Sequence, residues 1–287
     1  MEIIIIQSII TGMMIGFIYA LVSVGLSLLY GIMDIINFAH GEMLMVGMFA
    51  SYWLWALGGV DPLYSIPLVG GVLALLGVLV YKGIIRQIYG SSMLTQVFAT
   101  FGLSIFLSSS AQFLFTPNVR AVKDPLIGGN LRLGEVFISI PELFAVVMSA
   151  GTFALLYWFL EKTATGRALR ATSENRNAAS LMGINTERMY YLGWAISIGL
   201  VGIAGGVLAS YYYVFPGVGG TFALMAYVAV ALGGFGNVMG AFVGGIVIGI
   251  VENVTGVLFL PVYKYIGIFL VYLLVVLLRP QGILGKS

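Results

Sequence analysis

From Ile3 to Tyr30 the chain carries no charged residue, and apolar runs of similar length recur to its end. A run beyond roughly 18 apolar residues is long enough to cross a bilayer as a helix. These runs restrict the fold more than any motif, because a backbone in lipid must satisfy its hydrogen bonds within its own segment. Composition agrees, since 60% of the 287 residues are hydrophobic and 8% are charged, against about a quarter charged in a soluble domain. The expected architecture is all-α, a polytopic transmembrane helical bundle forming a single domain over residues 1–287. The N-terminus has no basic region and no small-residue cleavage site, so it reads as a retained span, not a signal peptide. With no cysteine, disulfides, thiolate metal sites and cysteine nucleophiles are excluded.

The expected membrane segments number eight to nine: Ile3–Tyr30, Ile35–Leu57, Ile66–Ile88, Met93–Phe115, Phe137–Leu160, Tyr190–Tyr213, a short piece Thr221–Gly233, Val238–Leu258 and Tyr265–Leu278. Two connections are long, Thr116–Val136 and Glu161–Met189. Lys162, Arg167, Arg170, Arg176 and Arg188 crowd the second, which the positive-inside rule assigns to the cytoplasm. Counting spans back from that loop puts the N-terminus outside and Lys82 and Arg86 inside. Arg279 and Lys286 fall inside only if the short piece reaches the far side. Thirteen residues rise roughly 20 Å, too little for an upright span, so a half-helix or broken helix is expected there. Such helices face protein or a water-filled path.

Residues 36–42, INFAHGE, place Asn37, His40 and Glu42 inside a long apolar stretch, and His40 is the chain's one histidine. Polar side chains at membrane depth are costly unless they pair or line a wet cavity or pathway. On an ideal helix Asp34, Asn37, Phe38 and Gly41 share one side, while His40 and Glu42 stand roughly 160° apart. One small ligand would not easily touch both. Asn37 and Gly41 are therefore assigned to the path or to a partner subunit, and His40 or Glu42 to neighbouring helices. The alternative makes every polar member a helix-to-helix hydrogen-bond partner.

The loop TGRALRATSENRNAASLMGIN, Thr165–Asn185, predicts a short helix outside the bilayer. Ala178, Leu181 and Met182 stand at helical spacing on one side, Glu174, Arg176 and Asn177 give a polar surface, and Gly183 stands where a left-handed cap would end it. An apolar ridge facing the cytosol fits a groove in a partner; the competing reading rests it on headgroups. Further on, Ala241, Gly245, Gly249, Glu252 and Gly256 fall on one narrow face, and small residues there let another helix come close. Glu252 then points into protein, as a packing carboxylate or a transport group. Thr95, Gln96, Thr100, Ser104, Ser108 and Gln112 give one span a polar path or, more commonly, hydroxyls bonded back to their own helix.

Two phosphate-loop decoys fail. The terminal GILGKS has Pro280 where a P-loop needs glycine, and Gly234-Phe235-Gly236 has Met239 where a dinucleotide fingerprint needs glycine. One histidine, no cysteine and scattered acids make no catalytic set. The chain is expected to be neither an enzyme nor a cofactor holder.

Four stretches in order carry a resemblance: GLSLLYGIMDIINFAHGEML (Gly25–Leu44), GRALRATSENRNAASLMGIN (Gly166–Asn185), GGFGNVMGAFVGGIVIGIVE (Gly233–Glu252) and LRPQGILG (Leu278–Gly285). Together they resemble the LivH-type permeases of branched-chain amino acid ABC importers. The resemblance implies an ABC-importer permease fold in the prokaryotic cytoplasmic (inner) membrane, translocating branched-chain or other small amino acids. It implies a related second permease (LivM-like), two cytoplasmic ATPases (LivG/LivF-like) that bind ATP and Mg, and an external substrate-binding protein, with membrane lipid around them and no nucleic acid. The loop from 162 to 189 would be the coupling loop, with Gly166, Arg167, Arg170, Glu174, Ala178, Ala179, Leu181, Met182 and Gly183 meeting an ATPase. Asn37, Phe38, His40, Gly41, Glu42, Gly245, Gly249 and Glu252 would serve the path or the helix packing. A permease of the same family for urea or amides, or a stand-alone secondary transporter, are the alternatives.

Overall fold

The computed structural model describes residues 1–285; Lys286 and Ser287, which end the Gly-Lys-Ser tail, lie outside them. Helices dominate: α1 (Glu2–Met33), α2 (His40–Gly58), α3 (Pro62–Val80) running through a π turn (Tyr81–Ile85) into α4 (Arg86–Ile88), and α5 (Met93–Phe115). A two-stranded hairpin, β1 (Asn130–Leu133) and β2 (Val136–Ser139), precedes α6 (Ile140–Lys162). Then come α7 (Ala164–Glu174), α8 (Arg176–Leu181), α9 (Thr186–Leu208), α10 (Val218–Gly233), α11 (Val238–Leu258) and α12 (Lys264–Leu278). Seven of the described helices are long and apolar enough to cross a membrane, and the 16-residue α10 is apolar but shorter.

Local chemistry sets many of the starts. Asp61 accepts the Leu63 N–H at 2.9 Å ahead of Pro62, Asn185 accepts the Arg188 N–H at 2.9 Å, and Asn237 accepts the Gly240 N–H at 2.9 Å. Each satisfies a donor that the first helical turn leaves without a partner.

The centre is built from α1, α2, α9, α10 and α11, while α5, α6 and α12 present apolar side chains outward, as lipid-facing helices do. α1 and α11 cross with backbones nearly touching. A Cβ on Gly12 would lie 2.7 Å from the Gly249 carbonyl oxygen, and one on Gly245 would overlap the backbone of Ala20. Small residues at such a crossing are what makes helix association favourable where no hydrophobic force operates.

Four expectations change. The segment expected as one helix from Ile35 is irregular through Ala39. Asp34 turns left-handed at φ 57° and its N–H closes α1 onto Tyr30, and the Asn37 side chain then accepts the Ala39 N–H at 3.1 Å, a local bond that competes with helix. The span expected from Phe137 begins at Ile140, because Phe137–Ser139 pairs into the hairpin, with Asn130 opposite Ser139. Gln7 of α1 clamps that strand, donating to the Phe137 carbonyl at 2.7 Å and accepting its N–H at 2.9 Å. Tyr190–Tyr213 shifts to Thr186–Leu208, and the short piece extends back to Val218.

Lys82, Arg86, Lys162, Arg167, Arg170, Arg176, Arg188 and Arg279 gather at one end of the bundle, and Arg120, Lys123, Arg132 and Lys264 toward the other, the more basic end being the one that the positive-inside rule expects at the cytoplasm. The chain end packs on the cytoplasmic end of α10, the Ile283 N–H reaching the Leu232 carbonyl at 2.8 Å. On the outer side Arg120 and Val214 exchange two backbone hydrogen bonds, 2.9 and 2.8 Å, joining the long outer loop to the lead into α10.

Candidate functional site

The break between α1 and α2 brings the polar residues of INFAHGE together at depth. His40 donates from Nε2 to the Val22 carbonyl at 3.0 Å, since a carbonyl can only accept. Val22 lies eleven residues before the end of α1, about 16 Å along its axis, so residues 34–39 climb back into the bundle and α2 starts inside the membrane. The N-terminus of α10 meets α2 there. Gly41 packs on Gly219 and Ala223, and a Cβ on Gly219 would come within 2.5 Å of Glu42 Oε2. Both helix ends carry the partial positive charge of their exposed N–H groups.

Neighbouring elements hold the break by its carbonyls. Tyr227 of α10 donates to the Asn37 carbonyl at 2.6 Å, and Thr100 of α5 donates to the Ile36 carbonyl at 3.1 Å. Phe38 sits between Tyr227 and Phe101, ring centroids 5.4 and 6.4 Å away. Irregular backbone at this depth survives because protein covers it. Yet Asn37 Nδ2, His40 Nδ1 and Glu42 Oε2 are buried without hydrogen-bond partners among the described residues. Backbone contacts thus support a segment whose polar tips remain unsatisfied.

The placement differs from the expected one at two residues. Asn37 and Gly41 do not share a helix face, because 34–39 is not helical, and Gly41 meets α10 of this same chain. Of the pair assigned to neighbouring helices, His40 hydrogen-bonds α1 at the Val22 carbonyl. Gly245 and Gly249 form the α1 crossing. Glu252 is nearly buried, with Tyr19 donating to Oε2 at 2.7 Å and Lys264 to Oε1 at 2.7 Å. Both its oxygens are occupied within the chain, which joins α1, α11 and α12.

The basic end of the bundle is built on α7 and α8. Thr163 caps α7 by accepting the Gly166 N–H at 3.0 Å, and Gly166 is buried against the backbone of Phe159 and Leu160. Arg170 pairs with Glu161, and Arg167 donates to the Lys162 carbonyl. Asp34, Glu161, Arg170, Glu174 and Asn237 line a cavity of about 540 Å³ beneath the end of α1.

Asn175 caps α8 by accepting the Asn177 and Ala178 N–H groups. At its other end Gly183 is left-handed at φ 82°, the Ile184 N–H returns to Ala179 and the Gly183 N–H to Ser180, each 3.0 Å. That is the Schellman closure. Ala179 turns inward, whereas Leu181 and Met182 are 88% and 83% exposed. Arg176 donates to the Tyr89 hydroxyl at 2.7 Å, and Tyr89 shares a 2.8 Å hydrogen bond with Tyr190 of α9. The hydrogen bond to the Tyr89 hydroxyl raises the Arg176 guanidinium above its ordinary pKa.

The family model described as the branched-chain amino acid transport system permease component matches residues 8–278. The chain belongs to this family. The permease is 34% identical to the high-affinity branched-chain amino acid transport system permease protein LivH of Escherichia coli K12, over 98% of this chain and 95% of that one. It is 31% identical to the corresponding BraD protein of Pseudomonas aeruginosa, over 98% and 95%. PsaBC from Streptococcus pneumoniae in complex with Fab aligns at a TM-score of 0.49, with 15% identity, over 94% of this permease and 91% of that chain.

Several partners carry no sequence motif: Tyr89, Tyr190, Tyr227, Tyr19 and Lys264. Gly12, Gly16 and Ala20 do carry a signal, small residues four apart facing the like-spaced Gly245 and Gly249.

Proposed function

We propose that this permease is one membrane half of an ATP-driven importer for branched-chain amino acids in the prokaryotic cytoplasmic membrane. A related permease, two cytoplasmic ATPases that hold ATP and Mg, and an external binding protein complete the assembly. The observation that carries this reading is α8: a helix of six residues, capped at both ends, that offers Leu181 and Met182 to the cytosol. Side chains of that size gain most by entering a partner's groove.

The route from α8 inward is continuous. Arg176 holds Tyr89 and through it Tyr190, so a displacement of α8 pulls on α9. α9 holds α1 by the Ser197 hydroxyl donating to the Gly25 carbonyl at 2.7 Å, three residues from the Val22 carbonyl that anchors His40. ATP-driven closure of the ATPases would thereby move the break between α1 and α2. Such coupling requires the ATPases to grip the two states with different affinity. Residues 162–189 are then the coupling loop, with Ala178, Leu181 and Met182 inserted in the ATPase and Gly166 and Ala179 fixing the loop from within.

Leu181→Asp and Gly183→Pro test this. Proline cannot adopt a φ near +82° and lacks the N–H that closes α8. Both variants should insert normally and lose ATP-driven uptake in vesicles carrying the whole assembly. Uptake at the parent rate in either variant overturns the reading.

A further inference from the structure

Gln96, Thr100, Ser104, Ser108 and Gln112 follow one another at four-residue intervals along α5. At 3.6 residues per turn such a row winds about 40° per step. It leaves the covered side of α5 at Thr100, which is fully buried, and reaches an exposed flank at Gln112. Thr100 marks its inner end at the break, where its hydroxyl lies 3.1 Å from the Ile36, Gln96 and Val97 carbonyls. Gln112 lies twelve residues further out, about 18 Å, close to the outer end of the helix.

Beyond Thr100 the bonding stops. The hydroxyls of Ser104 and Ser108 and the amide of Gln112 bond to nothing among the described residues. Serine in a helix ordinarily returns its hydroxyl to a carbonyl three or four residues back, as Ser8 does to Ile4 and Ser23 does to Tyr19. Hydrocarbon offers no replacement partner, so lipid is the wrong neighbour for this flank. Phe106, about 160° from both serines, is exposed on the opposite side of α5, and Phe101 and Ile105 stand half-exposed beside the row.

We infer that Ser104, Ser108 and Gln112 line the outer half of a water-filled path that ends at Asn37. The inference rests on the importer reading, under which solute arrives from outside. A zwitterionic solute that sheds water on this route meets two hydroxyls and an amide in turn. At the end it meets the fully buried Asn37 Nδ2, which lacks a partner.

The chain has no cysteine, so each single cysteine variant places one thiol in it. Ser104→Cys, Ser108→Cys and, as a lipid-facing reference at the same depth, Phe106→Cys are labelled in membranes carrying the assembled transporter. The probe is a charged methanethiosulfonate added from outside, and modification of this chain is read by mass. A charged reagent is excluded from hydrocarbon, so both serine positions should react at least about tenfold faster than the Phe106 position. Rates at Ser104 and Ser108 no faster than at Phe106 overturn the path. ATP-driven uptake by the cysteine-free parent separates the two readings. Uptake with slow labelling removes the path alone, while fast labelling without uptake keeps the path and removes its ATP drive.

Discussion

The crossing of α1 with α11 and the break between α1 and α2 lie on the same helix and are built on opposite terms. At the crossing, glycine backbones touch, and the nearby Glu252 has both oxygens bonded. At the break the backbone is irregular, its carbonyls are held by Tyr227 and Thr100, and three polar tips are buried without partners among the described residues. Packed interfaces of the first kind resist deformation. In a segment of the second kind a rearrangement breaks few side-chain bonds, chiefly those of His40 with the Val22 carbonyl and of Asn37 with the Ala39 N–H. α1 therefore has a rigid outer half and an inner end where its successor can move.

The largest expected effect is on the rigid side. Gly245→Leu forces a side chain into the backbone of Ala20, and overpacking of this sort costs about 3 kcal/mol or more. The variant should fail to accumulate as folded protein in membranes. Normal accumulation would mean that α1 and α11 are not locked. Next comes Glu252→Ala, which leaves the Lys264 ammonium without its carboxylate. Lys264 is about one-third exposed, so the loss is below that of a fully buried pair, about 1–3 kcal/mol. The double variant Glu252→Gln with Lys264→Met should recover most of the lost thermal stability in detergent, and no recovery would argue against a direct pair.

On the soft side, Tyr227→Phe removes one donor to the Asn37 carbonyl and should cost about 1 kcal/mol. It should alter uptake more than its stability loss explains, which a thermal scan beside a transport assay would reveal. Alanine at Asn37, His40 and Glu42, one at a time, sharpens the contrast. His40→Ala should weaken assembly, because His40 holds α1. Asn37→Ala should leave assembly intact and reduce uptake. Equal assembly loss in all three would make the break another packing site. Smallest is Asp34→Gly, where glycine adopts φ 57° at no steric cost. A gain of about 0.5–1 kcal/mol is expected, and a loss would show that the Asp34 side chain has a role of its own.

Much of the bundle was legible because apolar length and Lys/Arg placement act locally. The ends of α5 and α11 and the small-residue face of α11 follow from pattern alone. INFAHGE was legible as an anomaly but not as a shape. The left-handed Asp34 and the Asn37–Ala39 bond are local choices that compete with a continuous helix, and helical geometry projected through them misplaced Asn37 and Gly41. The hairpin was missed because four-residue strands in a polar loop carry little periodicity, and its clamp, Gln7, is 130 residues away. Glu252 was placed on the correct face, but its partners Tyr19 and Lys264 become neighbours only once α1, α11 and α12 pack. On α8, the capping glycine and the ridge were readable, whereas Tyr89 and Tyr190 behind Arg176 were not.

The two backbone bonds between Arg120 and Val214 act as a tether between the extracellular loop and the stretch that feeds α10. Val214 is four residues from the first residue of α10. Whatever draws that loop outward therefore tugs on the helix whose tip rests against Gly41 and Glu42. A lever operated from outside thus reaches the same pivot that α8 reaches from the cytosol.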